Sequence, residues 1–349
     1  MAGRFLLTHD VSDLCIGKPA LRWLPPSSTV AHAVAELDGQ GPDACVAVWD
    51  GTGTAAVAGR VRMSDVALFL CADGNLASPA AALQASLADL LAANNAPPVR
   101  CVQPHVSVLE AVDALLGGAQ CLVVPIQDNR RLGALEAGVT MMCWLTVEDV
   151  VRFFLGSVAL FSSTASRPVS DLGVVSPALS VAATDSALSA VAPLLRTASI
   201  AVVSGGRIEG EISPSTLCPF DPSLAAAAFA TLTAGELASF IDCAPTTREA
   251  ALRVVRSRLR RRKLHGMLDL LDGHDDLSSP SSLSSSSSPF SSSSSDNDDE
   301  AAYSRTAVAH RVTQVWVLGD EDELVGVVGF LDVLRVLRRH LLHTPPAHV

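Results

Sequence analysis

The sequence predicts a mixed α+β fold in which four related units of about 60 residues follow one another. Two observations lead to this prediction. A helical pattern with an alanine at a fixed place occurs four times, and each occurrence is followed by two short apolar runs. Of the 349 residues, 49% are hydrophobic, so the chain can bury a sizeable core. Since one such unit hides only part of its apolar surface, we expect the four units to pair into two modules.

Each helical pattern opens with a hydroxyl residue, which can cap the first free N–H groups of a helix. The four openings are Thr29, Ser107, Ser186 and Thr247. Counted from the next residue, apolar side chains recur at i, i+3, i+4 and i+7, as on the buried face of an amphipathic helix, except that the first position of the fourth copy is Arg248. The residue at i+3 is an alanine in every copy, which indicates that another backbone approaches closely there: Ala33, Ala111, Ala190 and Ala251.

The apolar runs after each helix are bounded by polar turns, as is typical of strands. The first run of each unit covers 44–49, 121–126, 199–204 and 312–318, and the second covers 57–61, 142–146, 208–213 and 323–329. A second helix is predicted after the second run in three units. In the third unit, Pro214 and Pro219 limit that helix to about one turn. The two modules are therefore expected at 11–160 and 167–342, with 162–167 as the linker.

A Ser/Thr-x-x-Asp step lies between the last strand and the second helix of the unit. This step and the order of elements resemble the CBS domain, two of which pair into a Bateman module. The stretches CWLTVEDVVRFFLGS (143–157) and VTQVWVLGDEDELVGVVGFLDVL (312–334) are similar to those of four-repeat plant CBS-domain proteins. Four copies in one chain also resemble the gamma subunit of AMP-activated and sucrose-nonfermenting-type kinases. On this basis units one to four span 11–72, 86–160, 167–222 and 229–342.

The resemblance implies a regulatory protein that binds an adenosine-containing ligand, such as AMP, ATP or S-adenosylmethionine, in clefts between paired repeats. It also implies a protein partner such as a kinase catalytic subunit, and face-to-face pairing of modules within the chain or in a homodimer. In the family the aspartate of the step contacts the ribose hydroxyls, and the Ser/Thr lies near the phosphate. The alternative is an interaction scaffold whose ligand sites have largely degenerated.

The four copies of the step differ in their chemistry. Unit two is complete, units one and four keep the carboxylate but carry Arg62 and Gly329 at the hydroxyl place, and unit three ends in Thr216. The candidate ligand-binding residues are therefore Thr146, Asp149, Asp65, Arg62 and Asp332. The simpler interpretation of each step is a helix N-cap. A guanidinium at position 62 is compatible with holding a phosphate or with filling the cleft.

Two charged segments lie outside this pattern. Seven cations fall within 253–263, and they are interpreted as a solvated helix end, with a nuclear-import or anion-binding patch as the alternatives. An insert at about 269–304 is rich in serine and acidic residues and is predicted to be disordered. Ser293 and Ser295 each have an aspartate three residues later, a spacing that suits an acid-directed kinase.

Composition excludes several other classes. The net charge is −11, and much of it lies in the acidic insert, so no field that attracts nucleic acid is expected. The longest apolar stretch is shorter than the roughly 20 residues of a membrane span. The eight cysteines are scattered, which favours reduced thiols in the cytoplasm or nucleus. Neither a phosphate-binding loop nor a catalytic signature occurs, and His340 and His343 have no further ligands nearby, so we predict no enzyme, no required cofactor and no metal site.

Overall fold

A computed structural model of the chain describes residues 9–41, 43–49, 57–126, 141–157, 166–243, 245–275 and 314–343. The greater part of the predicted insert, from 276 onward, lies outside the described residues. Residues 269–275 at its start are helical rather than disordered, because they belong to a helix whose Met267, Leu268 and Leu271 are buried.

Units one and two have the same order of elements. Unit one runs α1 (Val11–Leu14), β1 (Trp23–Leu24), α2 (Val30–Leu37), β2 (Val46–Val48), β3 (Gly59–Val61) and α3 (Met63–Leu70). Two short helices, α4 (Asp73–Ala77) and α5 (Pro79–Leu83), lead to unit two, which runs α6 (Leu87–Ala93), β4 (Val99–Cys101), α7 (Val108–Leu116), β5 (Cys121–Ile126), β6 (Met141–Leu145) and α8 (Val147–Leu155). The middle strand of each sheet pairs in parallel with the first and antiparallel with the third.

The second half of the chain departs from this order after its third strand. Unit three runs α9 (Val169–Leu172), β7 (Ser180–Ala182), a 3-10 turn (Ala187–Ala190), α10 (Val191–Leu194), β8 (Ile200–Ser204), β9 (Arg207–Ile212), α11 (Pro214–Leu217) and α12 (Pro222–Thr231). Unit four runs α13 (Ala234–Asp242), α14 (Pro245–Arg262), α15 (His265–Asp275), β10 (Gln314–Leu318), β11 (Leu324–Gly329) and α16 (Phe330–His343). A strand forms within every predicted apolar run.

The second helix of unit three was only partly predicted. The single turn of α11 is present, as the two prolines suggested. The chain then forms α12, whose first N–H groups are capped by the Asp221 carboxylate at 2.9 and 3.1 Å. Helix α12 is apolar on nearly every side and is almost wholly buried, so it lacks the polar face by which an amphipathic helix is recognised in a sequence.

The units meet in two different ways. Within a module, the sheets of the two units face each other. In the first module, Ala47 and Trp49 of unit one form one apolar cluster with Val123 and Met142 of unit two. Helices meet between modules, because one large cluster joins units one and three through α3 and α12, and another joins units two and four through α7, α8 and α16. The paired arrangement therefore has its sheets on the inside of each module.

The leading helix of each unit packs against the partner unit rather than its own. Val11 and Leu14 of α1 are buried in the core of units two and four, whereas Leu87 and Leu90 of α6 are buried in the core of units one and three. Backbone hydrogen bonds fix the exchange, since Val11 N donates to Val106 O and Leu87 N donates to Ser28 O, both at 2.9 Å.

Helix α14 differs from the predicted first helix of unit four. It forms, but its buried residues Val255 and Leu259 pack into the core of units one and three, against α12, and not onto β10 and β11. Only residues 243 and 244 separate α13 from α14, so there is no room for a first strand that would hold the helix beside its own sheet. Within the described residues, that sheet has two strands where the others have three.

Candidate functional site

The Ser/Thr-x-x-Asp step of unit two forms an N-cap box at the start of α8. The backbone N–H of Thr146 donates to Asp149 Oδ2 at 2.7 Å, and the Thr146 hydroxyl donates to the same oxygen at 2.8 Å. The Asp149 N–H in turn faces Thr146 Oγ1 at 3.3 Å. The sequence brings the two side chains together because Thr146 has extended backbone geometry just before the first helical turn.

Asp149 has a further partner that sequence analysis did not identify. The Lys18 ammonium lies 2.6 Å from Asp149 Oδ1, and the two side chains are 22% and 21% exposed. Lys18 follows α1, the helix that unit one packs against unit two. The site therefore combines a carboxylate and a hydroxyl from one unit with a cation from the other, and all three residues are partly exposed.

Two buried thiols lie beside this ion pair. A hydrogen bond between the thiols of Cys143, on β6, and Cys15 lowers the pKa of Cys15 and raises that of Cys143. Burial opposes the first shift and adds to the second. The charge of Lys18 lowers both values and that of Asp149 raises both, so the electrostatics of the ion pair extend into the core.

In unit one, Arg62 is hydrogen-bonded to Asp65, the aspartate of its own step. Its backbone N–H donates to Asp65 Oδ2 at 2.9 Å, its Nε to the same oxygen at 3.2 Å, and its Nη2 to Oδ1 at 3.1 Å. Burial lowers the pKa of the Arg62 guanidinium, but the charge of Asp65 and the hydrogen bonds to it outweigh burial and raise that pKa above its ordinary value. Both carboxylate oxygens are thus engaged by one neighbouring residue.

In unit four, Asp332 is the most enclosed of the three aspartates. Its Oδ2 accepts the Gly329 N–H at 2.9 Å, and its Oδ1 accepts the Ser176 hydroxyl at 2.9 Å and Arg335 Nη1 at 2.5 Å. Ser176 comes from the segment after α9, so the exchange of leading segments seen in the first module recurs here.

In unit three the step keeps its shape without a carboxylate. The Ser213 N–H donates to Thr216 Oγ1 at 2.9 Å, and the hydroxyls of Ser213 and Ser215 are 2.8 Å apart. Ser213 is 1% exposed, so its hydroxyl finds its partners within the step, whereas Ser215 is exposed to solvent. The structure therefore places all the predicted site residues at helix starts, where each of the three aspartates accepts the backbone N–H of the residue that precedes its helix.

Lys18 and Ser176 were missed, although the sequence contains a signal for both. Helices α1 and α9 have the same sequence, VSDL, and each is followed at the same distance by Lys18-Pro or Ser176-Pro. This shared stretch marks equivalent positions in the two modules. The contact that each position makes with an aspartate becomes evident only in the structure, where the leading segment packs against the partner unit.

Other site types find no support within the described residues. There, no group of three or more His, Cys, Asp or Glu side chains is arranged to hold a metal ion. Among the same residues, no helix has the length and hydropathy needed to span a bilayer.

Comparison with known proteins gives the family. No family model matches the chain. The chain is 35% identical to the CBS domain-containing protein CBSX5 of Arabidopsis thaliana, over 96% of this chain and 98% of that protein. The chain belongs to the family of CBS domain-containing proteins. A second CBS domain-containing protein of the same plant, CBSX6, is 24% identical over 97% of this chain and 95% of its own length.

A solved structure confirms the fold of this CBS-domain protein. Protein MJ1225 from Methanocaldococcus jannaschii, which is proposed to be an archaeal homolog of g-AMPK, matches with a TM-score of 0.58 and 14% identity. The match covers 94% of this chain and 99% of that one. The predicted mixed α+β fold of paired CBS repeats is therefore confirmed.

Proposed function

We propose that this CBS-domain protein is a regulatory sensor that binds an adenosine-containing ligand between units one and two, through Thr146, Asp149 and Lys18. The observation that carries the proposal is the contact between Lys18 and Asp149, because it brings a cation from one CBS unit to the complete step of the other. A ligand seated there touches both units and can favour one arrangement of the pair over another.

The chemistry of the three side chains suits a nucleotide. A carboxylate at a helix start can accept hydrogen bonds from two vicinal ribose hydroxyls. The ammonium of Lys18 and the free N–H groups of the first turn of α8 suit a phosphate. Lys18 pairs with Asp149 Oδ1 in the structure. In the proposed complex the ribose hydroxyls take Asp149 Oδ1 and Lys18 turns to the phosphate. Each hydrogen bond to a charged group contributes about 1.5–3 kcal/mol.

The partner side of the proposal is a kinase catalytic subunit. The four-repeat arrangement resembles the gamma subunits of such kinases, and the similar archaeal structure is described as a homolog of one. Coupling in this proposal arises when AMP, ATP or S-adenosylmethionine binds one arrangement of units one and two more tightly than the other.

The second candidate is an interaction scaffold without a ligand. The observation that favours it is the state of the other aspartates: Arg62 engages both oxygens of Asp65, and Arg335 and Ser176 share Asp332 Oδ1. Since each of these carboxylates is already neutralised by a cation one helical turn away, units one and four require no ligand to complete them.

Titration calorimetry of the full chain with AMP, ATP and S-adenosylmethionine separates the two candidates. We expect saturable heat with at least one ligand, and a loss of about tenfold or more in affinity for Asp149→Asn and Lys18→Met. The matched controls, Asp332→Asn and Arg207→Met, should bind as the unchanged protein does. If none of the three ligands gives heat or a thermal shift at millimolar concentration, the sensor proposal fails and the scaffold is retained.

A further inference from the structure

The C-terminal half of α14 has a strongly basic surface that the proposed ligand site does not use. Arg253, Val254, Ser257, Arg258 and Arg261 line a cavity of about 380 Å³ there, which we call the arginine groove. Val254 is 41% exposed, although it is a large apolar residue. A cavity lined by three guanidinium groups, a hydroxyl and an exposed apolar side chain suits an extended, acidic segment of polypeptide.

The cations of α14 differ in how far they are already neutralised. Arg258 forms a close pair with Glu236, at 2.5 and 2.7 Å. Arg253 lies 3.8 Å from Glu249, and both side chains are more than three-quarters exposed, so this pair is weak. Within the part of the chain that the structure describes, no carboxylate pairs with Arg260 or Arg261. The groove therefore retains positive charge at Arg253 and Arg261, and Arg260 adds a further cation on the same helix.

The path of the chain brings an acidic segment to this groove. Helices α14 and α15 form a hairpin around Lys263, whose φ is 59°, and the hairpin is bridged by Arg256 and Asp272 at 3.2 Å. Continued by one turn in the same antiparallel register, this pairing directs the end of α15, at residue 275, toward the turn of α14 that contains Arg253. The next segment, 276–300, holds five acidic residues and no Lys or Arg. It thus starts at one end of the groove and has the complementary charge.

Length permits the contact. Twenty-one residues separate 275 from 296, and a random-coil chain of that length has an end-to-end distance of about 25 Å. The cationic stretch of α14, from 253 to 263, is about 15 Å long. The acidic run Asp296-Asn-Asp-Asp-Glu300 can therefore reach any part of the groove, and because it is tethered its effective concentration is high.

We propose that the arginine groove of α14 is the docking site for the chain's own serine- and aspartate-rich segment, 276–300, and that phosphorylation of Ser293 and Ser295 strengthens the docking. In the modification, a protein kinase transfers the γ-phosphoryl group of ATP to each serine Oγ, with loss of the hydroxyl proton and release of ADP. Each phosphate adds a charge of about −1.5 to −2 and can accept paired hydrogen bonds from a guanidinium.

The single tyrosine of the chain provides a direct test, because Tyr303 lies three residues after the acidic run. Fluorotyrosine incorporated into the full chain gives one ¹⁹F resonance. After phosphorylation by an acid-directed kinase, at low salt, we expect this resonance to be broadened and shifted from that of a free peptide of residues 291–306. The triple variant R253Q/R260Q/R261Q should return it to the peptide value. The matched control, R100Q/R196Q/R207Q, removes three exposed arginines elsewhere and should not.

Three outcomes would overturn the proposal. The resonance of the phosphorylated chain could match the free peptide under all conditions, which would show that the segment does not dock. The control variant could release the segment as fully as the groove variant, which would indicate attraction by the overall positive charge rather than binding in the groove. The shift could disappear on dilution, which would assign the docked segment to a second copy of the chain.

Discussion

Ser176 donates a hydrogen bond of 2.9 Å to Asp332 from the position that Lys18 occupies beside Asp149 in the first module. The two residues follow identical VSDL helices, and each crosses to the partner unit. The modules therefore share one geometry and differ in charge. In the first, the cation arrives from the partner unit; in the second, it is supplied by Arg335 on the same helix as the aspartate. This difference is why we assign the ligand to the first module.

The pair formed by Arg62 and Asp65 is expected to stabilise unit one. Arg62→Ala should lower the free energy of unfolding by about 1.5–3 kcal/mol, because it leaves a largely buried carboxylate without its charged donor. In a urea-denaturation cycle, the double variant R62A/D65A should cost clearly less than the sum of the two single variants. The exposed pair of Arg152 and Glu148 is the control, and its Arg152→Ala variant should cost only about 0.5 kcal/mol. Strictly additive costs at Arg62 and Asp65 would contradict the coupling.

Acid should weaken the contact between α13 and α14. The hydrogen bond from Arg258 lowers the pKa of Glu236 to about 2. A carboxylate with a lowered pKa contributes its stability in full above the unfolded-state value of about 4.3, and that contribution is lost as the pH falls toward 2. Between about pH 5 and pH 2, the Tm of the unchanged protein should therefore fall further than that of Glu236→Gln. Glu249→Gln is the control, and parallel curves for all three proteins would contradict this assignment.

The alanine at the fixed place of each helical pattern is expected to be intolerant of larger side chains. Ala33 and Ala111 are both 0% exposed, so Ala33→Leu and Ala111→Leu should each destabilise the fold by about 1–3 kcal/mol. Ala251, on α14, is only partly buried and should accept leucine at a smaller cost. Urea denaturation of the three variants tests this order, and an equal cost at Ala251 would show that α14 is as tightly packed as α2 and α7.

Gly326 allows the leading segment of the second module to approach β11. A Cβ at this position would lie 2.5 Å from Val175 Cγ1 and 2.8 Å from the backbone oxygen of Ser176. Gly326→Ala should therefore displace the segment that carries Ser176 and cost about 1–3 kcal/mol. At Gly59 a Cβ would meet only the methyl end of Leu91, at 2.7 Å, so Gly59→Ala is the milder control. Unfolding free energies that are equal for the two variants would contradict this ranking.

The sequence predicts the units well where a periodic pattern coincides with local packing. The strands and most second helices follow from their apolar runs, and the N-cap hydroxyls of Thr29 and Ser107 accept the expected backbone N–H bonds. The first helix of unit three was predicted as regular, but it begins as a 3-10 turn because Pro193 has no N–H for the carbonyl of Ser189.

Long-range features could not be predicted from periodicity. Helix α12 has no polar face, and α14 has the expected stripe but buries it in the core of another pair of units. The same limit applies to the site. Thr146 and Asp149 lie three residues apart and were found together, whereas Lys18 reaches Asp149 only through the exchange of leading helices. A contact between residues as far apart in the sequence as Lys18 and Asp149 leaves no local sequence pattern.

The exchanged leading helices also determine which piece of this chain can exist by itself. A fragment that contains all of unit two but begins after α1 would lack Val11 and Leu14, two of the side chains that close its core. A fragment of unit one that ends before α6 would lose Leu87 and Leu90 in the same way. Single repeats are therefore not self-sufficient, and a pair is the smallest piece in which each leading helix keeps the unit against which it packs. The VSDL sequence at the start of both pairs is consistent with duplication of a whole pair.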